Sequence, residues 1–403
     1  MSGPGPSAAR HRTGPPPDLR RRASAGVYSA GVIARATQLP RLHRSGRLPQ
    51  SRPAVLAAAV LLTATAACTS PPAPTPTGST SSVSAGAATT SATLSSSTPT
   101  PSVIASPTPP ATASPTSSGS ALAPYTGGPV LAVKIDNTSA ARPRIGLSSA
   151  DIVYVEPVEA GLTRLLAIYS TSMPPTVGPV RSARESDPEI LGNLGRIAFA
   201  YSGVSAYTQA RISNGPQVNL SNDASSQGFR RDGSRPAPYN VIGFPAQLLA
   251  RAGGSAPPGD NGFRYGPAPA GATPTSMLAT RYPGAALSFA WNPQRAQYLV
   301  TTDGRPEISD GAQVGAATVV VQRVQTYASG NRDVLGNVTP VVKAVGSGEA
   351  VVLRGGQAFR GTWARPSAQA PTTFTTAAGQ PMTFAPGPVW VLLVPAGQAY
   401  TLG

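Results

Sequence analysis

The sequence predicts an α+β protein in which an N-terminal mixed α/β domain is followed by a mostly antiparallel β domain. Residues 69–124 consist almost entirely of Ser, Thr, Pro, Ala and Gly, which leaves residues 125–403 to build a core. Strand-type apolar runs alternate with helix signals between residues 125 and 275. From Ala286 onward helical periodicity disappears, and short apolar runs are separated by glycine-containing turns.

The N-terminal domain is predicted to span residues 125–278. Ser186-Asp187-Pro188-Glu189 is typical of a helix start, and Gly195 is its predicted stop. A second helix is predicted from Pro245 to Arg251, ended by Gly253-Gly254. Strands are predicted at 130–135, 152–158, 162–169 and 197–201.

The C-terminal domain is predicted to span residues 283–403, with the boundary between the two domains near 276–285. Turns at Asp303-Gly304, Ser347-Gly348 and Gly355-Gly356 separate its apolar runs. Regularly spaced short strands of this kind indicate an antiparallel sheet, sandwich or barrel. The predicted strands lie at 286–291, 297–302, 317–324, 341–346, 349–354, 357–363, 372–376 and 389–394.

Residues 1–67 are predicted to be a leader with a signal peptide. Their apolar run, 54–67, follows three arginines and is shorter than the roughly 20 residues that span a bilayer. The run ends in Thr65-Ala66-Ala67-Cys68, which resembles the lipobox of bacterial lipoproteins, although the usual first residue is Leu. We therefore expect a diacylglyceride on Cys68, a disordered stalk over residues 68–124, and an exported protein anchored to the outer face of the cytoplasmic membrane. The alternative is an ordinary signal peptide followed by a chance cysteine.

The residue types that follow the leader exclude several kinds of catalytic site. Both histidines, His11 and His43, lie in the leader, and Cys68 is the only cysteine. A mature chain that begins at Cys68 therefore has no free imidazole or thiol. Ser-His-Asp and Cys-His nucleophile pairs, His-ligated zinc sites and internal disulfides are excluded because each needs those groups.

The leader carries +9 of the net charge of +16, because ten of the 32 Lys and Arg but one of the 16 Asp and Glu precede Cys68. The excess that remains suits screened contact with anionic lipid headgroups or wall polymers. No basic run interleaved with aromatic residues occurs in residues 125–403, so nucleic acid is not an expected partner.

Acidic residues after the first strands are candidates for a ligand or catalytic site. Asp136 and Asn137, together with Glu156 and Glu159, supply the oxygen ligands that Ca²⁺ or Mg²⁺ prefers, with Asp136 and Glu156 the metal candidates. No cofactor is otherwise predicted. Paired carboxylates also serve general acid and base roles in glycan hydrolysis. Solvated surface charge is the competing interpretation for these residues.

Arg181 and Arg184 stand three residues apart between Gly178-Pro179 and the predicted helix. Their guanidinium groups are suited to bind one anion. A phosphate, a carboxylate or an internal Glu satisfies the same donors, so an external ligand and a salt bridge to Glu156 or Glu159 both remain open.

Several short blocks resemble the YerB-like bacterial lipoproteins, the family labelled domain of unknown function 3048, across nearly all of residues 125–403. The blocks with the most specific order and spacing are Ile135-Asp136-Asn137, Thr163-Arg164, Gly178 to Arg184 and Ala237-Pro238-Tyr239-Asn240. The block Gly361-Thr362-Trp363 resembles a block in the C-terminal domain of that family. The resemblance implies two domains and a lipid-anchored envelope location, and it adds Arg164 and Asn240 to the candidate residues. It implies no reaction.

This chain departs from the family pattern at two positions. Histidines are common in the family after the strand that ends here at Tyr201 and within the block that contains Tyr239. The chain has tyrosine at both places. If those histidines were catalytic in other members, this member would be inactive or use tyrosine. If they only form hydrogen bonds within the fold, the tyrosines change little.

The sequence therefore favours a non-enzymatic envelope protein that binds or scaffolds cell-wall polymer, wall-synthesis proteins or an anionic ligand. The alternative is a hydrolase of an envelope polymer that uses the carboxylates and arginines named above.

Overall fold

The computed structural model describes residues 120–121, 128–253, 258–333 and 335–403. The predicted leader, Cys68 and all of the predicted stalk except Ser120 and Ala121 lie outside the described residues. The described part of the chain contains no helix with the length and apolar character needed to cross a bilayer.

The described part of the N-terminal half contains strands and short helices. Its helices are α1 (Asp187–Ile190), α2 (Ala206–Ser213) and α3 (Pro245–Arg251), and 3-10 turns occur at Ser139–Ala141, Leu147–Ser149, Glu159–Gly161 and Gly192–Leu194. Its strands are β1 (Ser120–Ala121), β2 (Leu131–Asp136), β3 (Ile152–Pro157), β4 (Thr163–Tyr169), β5 (Ala198–Tyr201), β6 (Val218–Ser221), β7 (Phe229–Arg231), β8 (Val241–Gly243) and β9 (Arg264–Tyr265).

The C-terminal part consists of strands. They are β10 (Thr273–Pro274), β11 (Met277–Tyr282), β12 (Ala285–Asn292), β13 (Gln297–Thr302), β14 (Arg305–Pro306), β15 (Ile308–Ser309), β16 (Ala312–Gln313), β17 (Gly315–Ala316), β18 (Thr318–Arg332), β19 (Val338–Lys343), β20 (Gly346–Arg354), β21 (Gln357–Arg365), β22 (Thr373–Thr376), β23 (Val389–Pro395) and β24 (Tyr400–Leu402). The strand-rich α+β class is confirmed in this coarse form.

One twelve-stranded sheet contains strands from both halves of the chain. Its order is β10-β21-β20-β18-β23-β3-β4-β2-β5-β6, with β19 paired to β18 and β22 paired to β21. Strand β23 joins the halves, because it lies parallel to β18 on one side and to β3 on the other. Its sequence VWVLLVP is almost entirely buried, as expected for a parallel strand covered on both faces.

A six-stranded sheet of β11 to β14, β17 and β24 packs against one face of the large sheet. Phe289 of β12 and Trp390 of β23 meet there in an edge-to-face contact, with ring centroids 5.7 Å apart. The opposite face of the large sheet is covered by α1, α2 and the loops around Phe263 and Phe384. Both faces of the large sheet therefore contribute to the core.

Four local predictions differ from the structure, and one is the turn at Ser347-Gly348, which lies inside β20. The boundary region contains strand β11, whose alternating burial at Leu278, Thr280 and Tyr282 places it in the six-stranded sheet. The stalk prediction is wrong at Ser120 and Ala121, which pair with β9, because backbone hydrogen bonds to a strand edge need no apolar side chain. The helix predicted after Ser186 is interrupted: α1 ends at Ile190, and a 3-10 turn follows before Gly195, which has a φ of 72°.

Strand β18 is longer than its apolar run predicts. Its second half leaves the large sheet and pairs with β19 to form a two-stranded arm, Gln325–Lys343. The arm crosses onto the N-terminal half, where the Ser329 hydroxyl donates to Glu185 and the backbone N–H of Val342 donates to the Ser186 hydroxyl. Helix α2, which carries no strong apolar stripe, was also absent from the sequence predictions.

A buried ion pair also links the two halves of the chain. Arg144 and Glu307 contact each other through Nη1 and Oε2, and both side chains are fully buried. Arg144 Nε also donates to the backbone carbonyl of Asp136 at 2.7 Å. The neighbouring pair Arg142–Asp303, at 3.1 Å, is partly exposed.

We predict that Glu307→Gln lowers the free energy of unfolding by about 3 kcal/mol, because the Arg144 charge stays buried without its counter-charge. The matched change Asp303→Asn is expected to cost under about 1 kcal/mol, because that pair is solvent-screened. Urea unfolding of both variants measures the difference. Equal losses would contradict the prediction.

Candidate functional site

Charged residues from three adjacent strands form one row at the edge of the buried face of the large sheet. Asp136 of β2 lies opposite Arg164 of β4, and Arg164 lies opposite Glu156 of β3. Directly opposed residues of antiparallel strands project from the same face. Lys134, two residues before Asp136, projects from that face too. This face of the sheet is therefore apolar at Leu166 and charged two residues away, at Arg164 and the residues opposite it.

Asp136 is buried beneath two arginines. Its Oδ2 lies 2.7 Å from Arg181 Nε and 3.5 Å from Arg164 Nη2, and its Oδ1 accepts the Thr138 N–H at 2.6 Å. Burial acts to raise the pKa of Asp136, but Arg164, Thr138 and Arg181 together hold it below the usual range. Asp136 is therefore an ionised internal partner for both guanidinium groups.

Lys134 lies between two further carboxylates and is fully buried. Its ammonium contacts Glu156 and donates to Asp187 Oδ1 at 2.8 Å. Burial lowers the pKa of Lys134 to about 8, against the opposing effect of Asp187. Asp187 Oδ2 also accepts the backbone N–H of Arg184 at 2.6 Å, so the buried charges fix the start of α1.

Glu159, in the turn between β3 and β4, is anchored from two sides. Its Oε2 lies 3.0 Å from Arg184 Nε and 2.8 Å from Arg184 Nη2. Its Oε1 accepts the hydroxyl of Thr339, in the two-stranded arm, at 2.6 Å. Burial acts to raise the pKa of Glu159, but Arg184 and the Thr339 hydrogen bond outweigh it and lower the pKa.

Arg164, Arg181 and Arg184 line one cavity of about 450 Å³, which we call the guanidinium cavity. The turn of the two-stranded arm forms another wall, through Asn331, Arg332, Asp333, Leu335 and Asn337. Val158, Glu159 and Ala160 also line the cavity. The cavity therefore brings together four cations from distant parts of the sequence.

Arg164 is the most buried cation that lines this cavity, with 5 % of its surface exposed. Its Nε has no hydrogen-bond partner in the described part of the chain, and Nη1 donates only to the adjacent Thr163 carbonyl. Burial, together with the positive charges of Arg184 and Arg181, lowers the pKa of Arg164 to about 10 against the attraction of Asp136. An anion in the cavity would reduce that repulsion.

The other predicted residues have separate surroundings. Asn137 Nδ2 donates to the Thr163 hydroxyl at 2.7 Å, and its Oδ1 has no hydrogen-bond partner among the described residues. Asn240 accepts from Arg231 Nη1 at 2.9 Å and does not line the cavity. Tyr239, a departure from the family pattern, lies against the Arg181 guanidinium, 5.6 Å from ring centroid to Cζ.

Asp136 and Glu156, the Ca²⁺ or Mg²⁺ candidates, face positive groups. The guanidinium groups of Arg164 and Arg181 lie beside Asp136, and the Lys134 ammonium contacts Glu156. Among the described residues no three or more His, Cys, Asp or Glu side chains are grouped to hold a metal ion. Both carboxylates therefore have cationic side chains as neighbours in this arrangement.

Sequence reasoning missed the contribution of the two-stranded arm. Asn331, Arg332, Asn337 and Thr339 reach the site only because the arm crosses from the C-terminal half. The polar turn after Arg332, with Asp333 and Gly336, is a local hairpin signal. It does not reveal that the arm lies against residues more than 140 positions earlier.

We predict that Glu159→Gln lowers the free energy of unfolding most at neutral pH. The pKa of Glu159 is lower in the folded protein than its usual 4.5, so its stabilising effect is present above that value and is lost as the pH falls. Urea unfolding between pH 7 and pH 2 should show the two proteins converging in acid. Exposed Glu349→Gln is the control, and a difference from the native protein that does not change with pH would contradict the prediction.

The family model described as protein of unknown function (DUF3048) N-terminal domain matches residues 116–257, and the DUF3048 C-terminal domain matches residues 278–391. A relative from Bacillus subtilis (strain 168), named "Putative lipoprotein YerB", is 39% identical over 112 residues. That match covers 27% of this chain and 33% of the relative, about a third of its length.

The crystal structure of the YerB protein from Bacillus subtilis is similar in fold. The superposition has a TM-score of 0.58 at 21% identity, and it covers 68% of this chain and 94% of that one. At this identity the likeness concerns the fold alone. From the two consecutive family matches, this chain belongs to the DUF3048 family of YerB-like proteins.

Proposed function

We propose that this protein is an exported envelope protein that binds an anionic ligand in the guanidinium cavity and does not catalyse a reaction. The observation that carries the proposal is the convergence of Arg164, Arg181 and Arg184 on one cavity. Perturbed ionisable groups that line a concave site are typical of ligand sites.

Internal pairing leaves guanidinium donors for such a ligand. Arg181 uses Nε for Asp136, and its Nη1 makes only a long 3.4 Å contact with the Pro238 carbonyl. Arg164 Nε is unpartnered among the described residues. Arg332, at the exposed rim, donates to the Gly336 carbonyl and forms no ion pair in the described part of the chain. Arg184, by contrast, uses Nε and Nη2 for Glu159 and Nη1 for the Ser182 and Ala183 carbonyls. The donors left for a ligand therefore come mainly from Arg164, Arg181 and Arg332.

The alternative function, a hydrolase of an envelope polymer, receives less support from the carboxylates. General acid catalysis needs a carboxyl group that stays protonated near the working pH. The pKa values of Asp136 and Glu159 are instead lowered, and both groups are held by arginine. Glu156 is fully buried against Lys134. These positions suit structural anions better than proton donors.

Envelope location rests on the leader-like sequence before Cys68 and on the name of the Bacillus subtilis relative. A lipid on Cys68 would hold the folded region at the outer face of the cytoplasmic membrane. Partners available there include cell-wall polymer and wall-synthesis proteins, and many such polymers carry anionic groups. Two anchoring signals are usual for stable attachment of lipidated proteins, and a diacylglyceride supplies two chains.

We predict that inorganic phosphate binds the native protein in low-salt titration calorimetry. Arg181→Gln should weaken binding about tenfold or more, because a charge-assisted hydrogen bond is worth about 1.5–3 kcal/mol. Arg332→Gln, at an exposed position, should weaken it by a smaller factor without loss of stability. Exposed Arg360→Gln in β21 is the matched control. Unchanged binding in both cavity variants would contradict the proposal.

We also predict that Cys68→Ser moves the protein from the membrane fraction to the soluble fraction of its host and abolishes labelling by a radioactive fatty acid. The substitution removes the thiol that accepts the lipid and changes little else. Thr65→Leu, which restores the usual first residue of the lipobox, is the control and should keep both properties. Membrane retention of the Cys68→Ser variant would contradict lipid anchoring.

A further inference from the structure

A second, apolar groove lies beside the guanidinium cavity. It has a volume of about 620 Å³, and its lining includes Pro157, Tyr282, Pro283, Pro340 and Pro395. Val158 and Ala160 line both the groove and the guanidinium cavity. The turn that carries Glu159 is therefore a shared wall, with cationic groups on one side and apolar groups on the other.

The two-stranded arm borders both spaces. Asn337 lines the guanidinium cavity, and the next residue, Val338, lines the groove. Val338 is 36% exposed, and Leu335, at the turn of the arm and also a lining residue of the cavity, is 83% exposed. Exposed large apolar residues beside a concave site are typical of a surface that contacts an apolar partner.

We propose that the site takes a single amphiphilic phosphate, with its phosphoryl head in the guanidinium cavity and its hydrocarbon chain in the groove past Val158 and Ala160. This proposal rests on the proposed function, because the head occupies the same cavity. The occupant is one molecule with both properties, since the two spaces share a wall and neither is large enough to suggest a folded partner.

The head is assigned as a phosphoryl group because of the number and origin of the donors. Arg164, Arg181 and Arg184 approach the cavity from strand β4 and from the segment before α1. A phosphate monoester offers three terminal oxygens to such donors, whereas a carboxylate offers two. Arg332 supplies further donors at the rim, while the Asn337 amide donates to Asp333 Oδ2 at 2.9 Å.

The tail is assigned as hydrocarbon because the groove offers few polar partners. Prolines, Val158, Ala160 and Val338 supply most of its wall, while Arg281 and Gln398 are its charged or amide members. Moving a methylene from water into such a groove favours binding roughly fourfold when burial is complete. An amphiphile is therefore expected to bind more tightly than its head alone.

The test is a titration of the full protein with inorganic phosphate and with monoalkyl phosphates of increasing chain length, each below its micelle concentration. We expect affinity to rise by up to about fourfold per methylene until the groove is filled. Val338→Gln should remove this chain-length dependence and leave inorganic phosphate binding unchanged. Met277→Gln, at an exposed apolar residue of β11 outside the groove, is the matched control. Arg332→Gln should weaken every ligand of the series.

The outcomes separate the two proposals. Phosphate binding with no gain from the chain, or a gain that Val338→Gln preserves, overturns the amphiphile and leaves the anion site. No binding of phosphate or of any alkyl phosphate overturns both. Binding only to vesicles of anionic phospholipid, and not to monomeric alkyl phosphates, overturns single-molecule occupancy in favour of a membrane surface. Equal binding of alkyl alcohols of the same length overturns the assignment of the head.

Discussion

The arrangement of this protein depends on mutual neutralisation of charged side chains in the buried face of its central sheet. Four basic and four acidic side chains meet there, and an unpaired charge in such surroundings would cost several kcal/mol. The residues are Lys134, Arg164, Arg181 and Arg184 with Asp136, Glu156, Glu159 and Asp187. Each of these acids has a basic neighbour. Because a buried acid needs such a partner, the segments that carry the basic residues must pack against this face of the sheet.

The same requirement explains why the C-terminal half lies against the N-terminal half. Strand β23 joins them through the backbone of the large sheet, and the two-stranded arm joins them through acidic side chains. Glu159 accepts from Thr339, and Glu189 accepts the backbone N–H groups of Ala344 and Val345. These hydrogen bonds hold the arm and the residues directly after it against the N-terminal half, where the arm forms one wall of the guanidinium cavity. Stability and the shape of the candidate site thus have a common origin.

Local sequence patterns predicted much of the fold and little of its assembly. Strands β2 to β5, helix α3 and most strands from β12 to β23 follow from alternation, apolar runs and glycine turns, all of which are short-range features. The parallel pairing of β23 with β3 joins residues that are more than 230 positions apart. No local pattern predicts that pairing. An apolar run indicates that a strand is buried, but it does not indicate which strand lies beside it.

The candidate site shows the same division. The spacing of Arg181 and Arg184 predicted two guanidinium groups near one anion, and the structure assigns an internal carboxylate to each: Asp136 to Arg181 and Glu159 to Arg184. The sequence left internal and external anions open, and the structure shows both the internal partners and a cavity beyond them. No sequence motif predicts that Arg332 lies at the site, because its position depends on where the two-stranded arm packs.

The central claim is that the guanidinium cavity binds an external anion in addition to its internal acids. A crystal structure of the protein grown with tungstate, a heavy analogue of phosphate, tests it most directly through anomalous scattering. The account predicts a peak in the cavity with oxygens within about 3 Å of Arg164 and Arg181 guanidinium nitrogens. An empty cavity, with both arginines held solely by Asp136 and tungstate bound only elsewhere, would contradict it.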